Sequence, residues 1–374
     1  MRILHLIYDD IENPWCGGGG AVRAYEINRR LAQRHNITVI TGNYPGAEDE
    51  VVEGVRYVRI GSGKDYLFSR VTYSLQMHRV LSRMEYDLVV EDFSPFSPCF
   101  ACLHTERPVV TLIHTYLGLR ALRKYPLRGL LAIFFERLNL RLSTFIITVS
   151  PWLERRIHGK TQAKGLIRCI CNGVDEKWFN IRNCAEDNYI LYIGRIDFYT
   201  KGMDTLLKAF TLLSREVPGI TLRIVGKGKR RDLKKAHRLV DTLNLHERVE
   251  FIGPVYDFER KAALYAKSQF VCIPSRTEGW PIVAIEAAAA GKAILGSRIP
   301  GLLDAVINGE TGMLVPSDDP KDFCQAMHSL LQDGKRRKQL GANGRRWAAR
   351  FRWDSVAKEQ EAFYELALQL EDRR

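Results

Sequence analysis

Two doubly wound α/β halves, each a parallel sheet with helices on both faces, are the architecture this sequence predicts. Three observations carry the prediction. Short β-branched runs alternate with helix-period stretches along the chain, which is the pattern of βαβ units. The series restarts after Asn172-Gly173, a turn pair. The length of 374 residues exceeds one comfortable core and suits two of ordinary size.

Met1-Arg2-Ile3-Leu4-His5-Leu6-Ile7-Tyr8 reads as a first buried strand. Its apolar run stops at Asp9-Asp10, too soon for the hydrophobic region of a secretory signal. Residues 21–33 follow as an amphipathic helix, and residues 37–41, 88–91, 109–113 and 145–149 are further strands. A strand-like stretch, residues 166–171, runs into the turn pair, so residues 1–168 are assigned to the first half. The second half, residues 169–353, has strands at 189–193, 222–225, 249–252, 270–273, 293–296 and 312–315. Residues 354–370 carry Val356, Phe363, Leu366 and Leu370 at helical spacing. Such a helix is long enough for residues 354–374 to cross back and complete the first half.

Composition narrows the class. No apolar run approaches the roughly 18 residues that a membrane span needs, so a cytoplasmic protein is expected, peripheral on the inner face of the membrane if it meets one. Eight cysteines are scattered without a second cluster at zinc-ligand spacing, and are expected to be reduced structural thiols. The net charge of +13 is uneven: residues 1–106 hold 11 Lys/Arg against 14 Asp/Glu, whereas residues 107–168 hold 12 against 2. No nucleic-acid-binding motif accompanies that excess.

Ligands of such sheets bind beyond the C-terminal ends of the strands, so post-strand loops hold the candidate residues. Cys16-Gly17-Gly18-Gly19-Gly20 follows the first strand and leads into a helix near Ala21. Backbone without side chains at a helix N-terminus lets amides approach a phosphate, although the spacing departs from the dinucleotide pattern. A merely flexible loop is the other reading. Gly194-Arg195-Ile196-Asp197-Phe198-Tyr199-Thr200-Lys201-Gly202 follows the strand that opens the second half. Arg195 and Lys201, both at a strand's C-terminal end, suit a leaving diphosphate; a pair of solvated surface cations is the other reading. The third motif runs from Pro274-Ser275-Arg276-Thr277-Glu278-Gly279-Trp280-Pro281 into the alanine-rich helix bearing Glu286. There Glu286 could accept two ribose hydroxyls, the amides of Ile282 and Val283 could face phosphate oxygens, and Glu278 in the loop could contact sugar hydroxyls.

The ordered set of the glycine-rich first loop, Asn172-Gly173-Val174-Asp175, Gly194-Arg195 with Lys201-Gly202, Val225-Gly226-Lys227-Gly228, and Glu278 with seven residues before Glu286 resembles the retaining family-four glycosyltransferases of GT-B fold. The resemblance implies two Rossmann-like domains facing across a cleft and a nucleotide-diphosphate sugar, UDP- or GDP-linked, as donor. It implies that Arg195 and Lys201 hold the diphosphate and Glu286 the ribose. Glu278, with Gly279 and Trp280, would meet the donor sugar. Gly18, Gly19 and Gly20 would close on the phosphates, and the turn of Gly253 and Val255 would lie by the nucleobase. His114, after the strand at residues 109–113, matches a family histidine near the transferred sugar, although a lone histidine there is more often structural. Retention without a covalent enzyme nucleophile, with no cofactor and no metal, completes what the resemblance implies; the sequence offers no Asp-x-Asp metal motif. It departs from the family in lacking the Lys-x-Gly-Gly loop of glycogen and starch synthases, in Trp280-Pro281, and in Asp304 where Glu is usual.

Leu119-Arg120-Ala121-Leu122-Arg123-Lys124-Tyr125 and Arg128-Gly129-Leu130-Leu131-Ala132-Ile133-Phe134-Phe135 mix cations with bulky apolar residues. The basic segment 107–168 is accordingly a candidate for an anionic membrane surface, with a solvated helix face over an ordinary core as the plainer reading. Transfer of a hexose to a glycan or lipid-linked acceptor is the function expected. The rivals are a nucleotide-sugar epimerase or hydrolase of the same fold, and a non-catalytic nucleotide-sugar-binding subunit.

Overall fold

The computed structural model describes residues 1–124, 126–161, 166–181 and 184–373. The chain divides into two compact units, Met1–Asn172 with Trp353–Arg374, and Gly173–Arg352.

The first unit is built on an eight-stranded sheet of β1 (Arg2–Leu6), β2 (Asn36–Gly42), β3 (Glu50–Val52), β4 (Val55–Ile60), β5 (Leu88–Asp92), β6 (Val109–Ile113), β7 (Phe145–Thr148) and β8 (Leu166–Cys169), in the order β3-β4-β2-β1-β5-β6-β7-β8. Its central strands are near-continuous apolar runs because both faces of a parallel sheet are covered; all five residues of β6 are buried. The strand order reverses direction between β1 and β5, and the glycine-rich loop after β1 leaves the sheet there.

The hairpin β3–β4 is antiparallel and departs from expectation. Its turn residues, Glu53 and Gly54, both have positive φ, 47° and 80°, the mirror-image turn that matches strand twist. The mixed sequence Val55-Arg56-Tyr57-Val58-Arg59-Ile60 hides the strand. Cys169 of β8 pairs with Thr148 of β7, so this strand lies within the first unit and the chain leaves it after Asn172 rather than at 168.

The C-terminal helix, Trp353–Glu371, belongs to the first unit and packs on the helix Gly19–Leu31. Val356, Gln360, Phe363, Tyr364 and Ala367 form its buried stripe. Leu370, expected in that stripe, is exposed. Arg23 fastens this packing. Only 1% exposed, it donates from Nη1 to Ile170 O, Cys171 O and Asn172 Oδ1 at 2.9, 2.9 and 3.0 Å, and from Nη2 to Gln360 Oε1 at 2.5 Å. Burial works against its charge, and Asp92 is the first group compensating it.

The second unit holds a parallel six-stranded sheet of β9 (Tyr189–Ile193), β10 (Thr221–Val225), β11 (Val249–Gly253), β12 (Val271–Ile273), β13 (Ile294–Ser297) and β14 (Met313–Val315), ordered β11-β10-β9-β12-β13-β14. Met203, Leu206, Leu207, Phe210 and Leu213 of the helix Met203–Glu216 anchor its core. The order reverses between β9 and β12. The loops after those two strands, which hold Arg195, Lys201 and Glu278, therefore emerge side by side at the sheet's C-terminal edge. Among the described residues, no helix is long and apolar enough to cross a membrane.

Candidate functional site

In the second unit, glycines bring the loops after β9, β10 and β12 together. Gly194 and Gly226 have φ of 150° and 147°, and a Cβ on Gly226 would stand 1.9 Å from Gly194 O. Gly202, at φ 63°, lies so close to Pro274 that a Cβ would meet its carbonyl at 2.1 Å. Gly301 approaches the carbonyls of Glu278 and Gly279 in the same way, at 2.5 and 2.7 Å. A side chain at Gly202, Gly226 or Gly301 would push the backbone segments apart.

The result joins two residues that the sequence shows only in separate motifs. Lys201 Nζ donates to Glu278 Oε1 at 2.5 Å, and Ser275 Oγ donates to the same oxygen at 2.6 Å. Arg276 ties this loop to the helix Met203–Glu216 and to Asp318. Its guanidinium spans Asp204, at 2.9 and 3.0 Å, and Asp318, at 2.5 Å, while its amide donates to Thr200 O at 2.8 Å. The sequence does not single out Arg276, because an arginine in a polar loop carries no mark of its partners. Arg195 is held loosely, its side chain 57% exposed with Asp197 at 3.6 Å. A cation so placed can turn to a ligand at little cost.

Glu286 lies on the helix Ile282–Ala289, after Pro281. Its carboxylate is engaged by Lys261 Nζ, 2.8 Å from each oxygen, and by Tyr265 OH at 3.1 Å. Burial, and then the charge of Glu286, push the Tyr265 phenol well up, so it remains an O–H donor. Lys261 also lies over the Trp178 ring, 5.0 Å from its centroid. Neither partner is legible in the sequence. Ile282 and Val283 are half-buried in the first turn, where amides lack partners within their own helix. Trp280 is 5% exposed and its ring packs against Phe351 at 5.0 Å. Gly253 ends β11 at φ 78° with its carbonyl bonded by the Gly226 amide at 2.9 Å, and Val255 beyond it is half-buried.

The first unit holds a second cluster. The helix Gly19–Leu31 starts two residues before the expected Ala21, and Gly18 at its N-cap is open, with nothing within 4 Å of a built Cβ. Gly20 lies against the His114 ring, where a Cβ would come within 3.3 Å of Nε2. His114 Nε2 is hydrogen-bonded to Asp92 Oδ1. The other oxygen of Asp92 meets His5 Nε2 at 2.5 Å, and Asn28 Nδ2 donates to His5 Nδ1 at 2.8 Å. His114 follows β6 directly, at the strand end where it is expected. Asp92, His5 and Asn28 are not legible in the sequence, since a histidine inside an apolar strand looks like core. Among the described residues, no group of three or more His, Cys, Asp or Glu gathers that could hold a metal ion.

Comparison with known proteins returns two family models. "Glycosyltransferase Family 4" matches residues 17–178 and "Glycosyl transferases group 1" matches residues 174–347. An uncharacterized glycosyltransferase of Methanocaldococcus jannaschii is 24% identical over 98% of this chain and 99% of its own length. A D-inositol 3-phosphate glycosyltransferase of Nocardia farcinica is 34% identical over 48% of this chain, which spans only 40% of that relative. Among solved structures, a sucrose-phosphate synthase from Thermosynechococcus elongatus superposes with a TM-score of 0.86 at 24% identity, covering 99% of this chain and 100% of that one. An Anabaena protein solved in complex with UDP and glucose superposes at 0.77, with 18% identity over 97% and 98% of the two chains.

Proposed function

The chain belongs to glycosyltransferase family 4, and on that premise we propose that it transfers a hexose from a UDP- or GDP-sugar to a glycan or lipid-linked acceptor with retention of anomeric configuration. The observation that carries the reading is the Lys201–Glu278 pair beside the exposed Arg195, at the switch point of the second sheet. Two cations there suit a diphosphate whose charge grows as the sugar departs, and stabilising such developing charge commonly contributes more to catalysis than any other single effect. Glu278 takes the sugar hydroxyls and Glu286 the ribose, with the amides of Ile282 and Val283 on phosphate oxygens and the Gly253–Val255 turn at the base. His114 and the open loop of Gly18, Gly19 and Gly20 are assigned to the transferred sugar and the phosphates. The departing phosphate oxygen takes the acceptor proton, so neither an enzyme nucleophile nor a metal is invoked.

Donor protection tests the reading. A ligand that binds only the folded state raises stability by about 2.7 kcal/mol at a concentration 100 times its Kd. UDP or GDP should therefore raise the melting temperature of the wild-type protein and fail to do so in Glu286→Ala. Melting unmoved by either nucleotide would sink the proposal. Epimerised sugar from donor alone would favour the epimerase rival, and donor binding with no transfer to any acceptor would favour the binding subunit.

The acceptor side is read from the basic segment. Leu127, Leu130, Leu131 and Phe134 recur at helical spacing on Pro126–Leu142 and are 86%, 61%, 58% and 58% exposed. Glu136, one of the two acids of the segment, is buried and accepts the amides of Leu117 and Gly118 at 2.7 and 2.9 Å, so it does not offset the surface cations. Tyr125, residues 162–165 and the side chains of Arg123 and Lys124 lie outside the described residues. An exposed apolar stripe among cations suits an anionic bilayer, each nearby cation contributing about 1 kcal/mol. The protein should co-sediment with phosphatidylglycerol vesicles and not with phosphatidylcholine vesicles, and Leu131→Glu with Phe134→Glu should abolish it. Absence of binding to either vesicle would leave a glycan as the acceptor and remove the membrane from the proposal.

A further inference from the structure

We propose that Asp92 is a positioning residue for His114, backed by His5 and Asn28, and that together they hold the imidazole in one orientation with its Nδ1 edge turned to substrate. The proposal rests on the reading that His114 meets the transferred sugar.

The arrangement is convergent. His5, Asp92 and His114 come from β1, from the last residue of β5 and from the residue after β6, three adjacent strands of the sheet. His5 is 1% exposed and the Asp92 side chain 5%, whereas the His114 side chain is 26% exposed. The chain of bonds thus begins in the core and ends at the one member that solvent reaches. Burying a carboxylate costs several kcal/mol unless charge and hydrogen bonds compensate it, so a carboxylate placed there has partners that matter.

Each bond constrains the next. Asn28 donates to His5 Nδ1, which leaves the His5 proton on Nε2, facing Asp92 Oδ2. That oxygen is then occupied, and Oδ1 is the one offered to His114. His114 answers with Nε2, so its hydrogen-bonding edge for anything else is Nδ1. Gly20 closes off the Nε2 side: its backbone comes so near the ring that an added Cβ would already crowd it. A ring bonded on one edge and covered by backbone cannot flip freely.

Asp92 is also suited electrically. Burial opposes its ionisation, but His114 and His5 outweigh burial and hold the carboxyl well below the usual carboxylate range. Arg23, Tyr364, Glu91 and Tyr73 are the further titratable groups that couple to it. Asp92 therefore remains a carboxylate, an acceptor only. It fixes the His114 tautomer, with the ring proton on Nε2. This is a role of orientation, and no proton passes through Asp92.

The test separates positioning from simple structure. In Asp92→Asn, kcat should fall at least about tenfold while UDP or GDP protection against melting is kept. The nitrogen-15 shifts of the His114 ring should change from the Nε2-protonated tautomer to a mixture. In a His114→Gln background the same Asp92→Asn change should cost less than about twofold, because residues acting as a unit are not additive. Should Asp92→Asn fail to fold, His5→Gln, which can still donate to Asp92, should retain the rate that His5→Phe loses. An equal loss in both backgrounds, an unchanged ring tautomer, or equal rates in the two His5 variants would overturn the proposal. The nitrogen-15 measurement needs no turnover, so it stands or falls apart from the transferase reading.

Discussion

Lys201→Ala is expected to lower donor turnover by about 10²–10³-fold, the usual consequence of removing one fixed donor from developing negative charge. The side chain is mostly covered and its ammonium is held by Glu278 at 2.5 Å. Losing it removes a cation aimed at the diphosphate and also leaves Glu278 to Ser275 alone. Lys201→Arg should not rescue the activity, because a planar fork cannot occupy the place of a compact ammonium between two loops. The measurement is kcat/KM with the sugar nucleotide that protects the protein best, together with its melting temperature. Gly202, beside it, makes the turn against Pro274, so the fold should survive. Wild-type turnover in Lys201→Ala would refute the assigned site.

Arg23→Met is expected to cost about 3–5 kcal/mol of stability, because it breaks a buried charged network by removing one partner. That is a large part of the roughly 5–15 kcal/mol typical of a domain. Methionine fills most of the volume, so the loss reports the hydrogen bonds rather than a cavity. Two backbone carbonyls, Asn172 Oδ1 and Gln360 Oε1 would lose their donor. Urea denaturation of the intact chain measures the effect. Limited proteolysis should show the C-terminal helix released first, since Gln360 is its polar tie to Arg23. The double variant Arg23→Met with Gln360→Met should recover part of the loss, as replacing both partners leaves fewer buried polar atoms unsatisfied. A change below about 1 kcal/mol in Arg23→Met would mean that the packing of Val356, Phe363, Tyr364 and Ala367 suffices without it.

Legibility in the sequence follows the range of the interaction. β6 and β9 are bounded where the largely apolar runs at residues 109–113 and 189–193 begin and end, because a strand buried on both faces is near-continuously apolar. The β3–β4 hairpin is shorter, mixed in polarity and turned on Glu53-Gly54, so periodicity has little to report. Leu370 departs from expectation for a related reason: helical spacing marks a face, but whether anything covers that face depends on where the neighbouring helix ends.

The candidate site divides along the same line. The sequence by itself determined the fold class, the order of motifs and the family, and it pointed to Arg195, Lys201, Glu278, Glu286 and His114, because spacing along a chain is local information. Only the tertiary structure decided the pairing: Lys201 with Glu278, Lys261 and Tyr265 with Glu286, Arg276 between Asp204 and Asp318, and Asp92 between His114 and His5. Those partners are separated by 77, 25, 21, 72, 42, 22 and 87 positions in turn. A carboxylate needs a partner once it leaves water, and which cation or hydroxyl supplies it is set by how strands and helices pack, a property that no window of sequence contains.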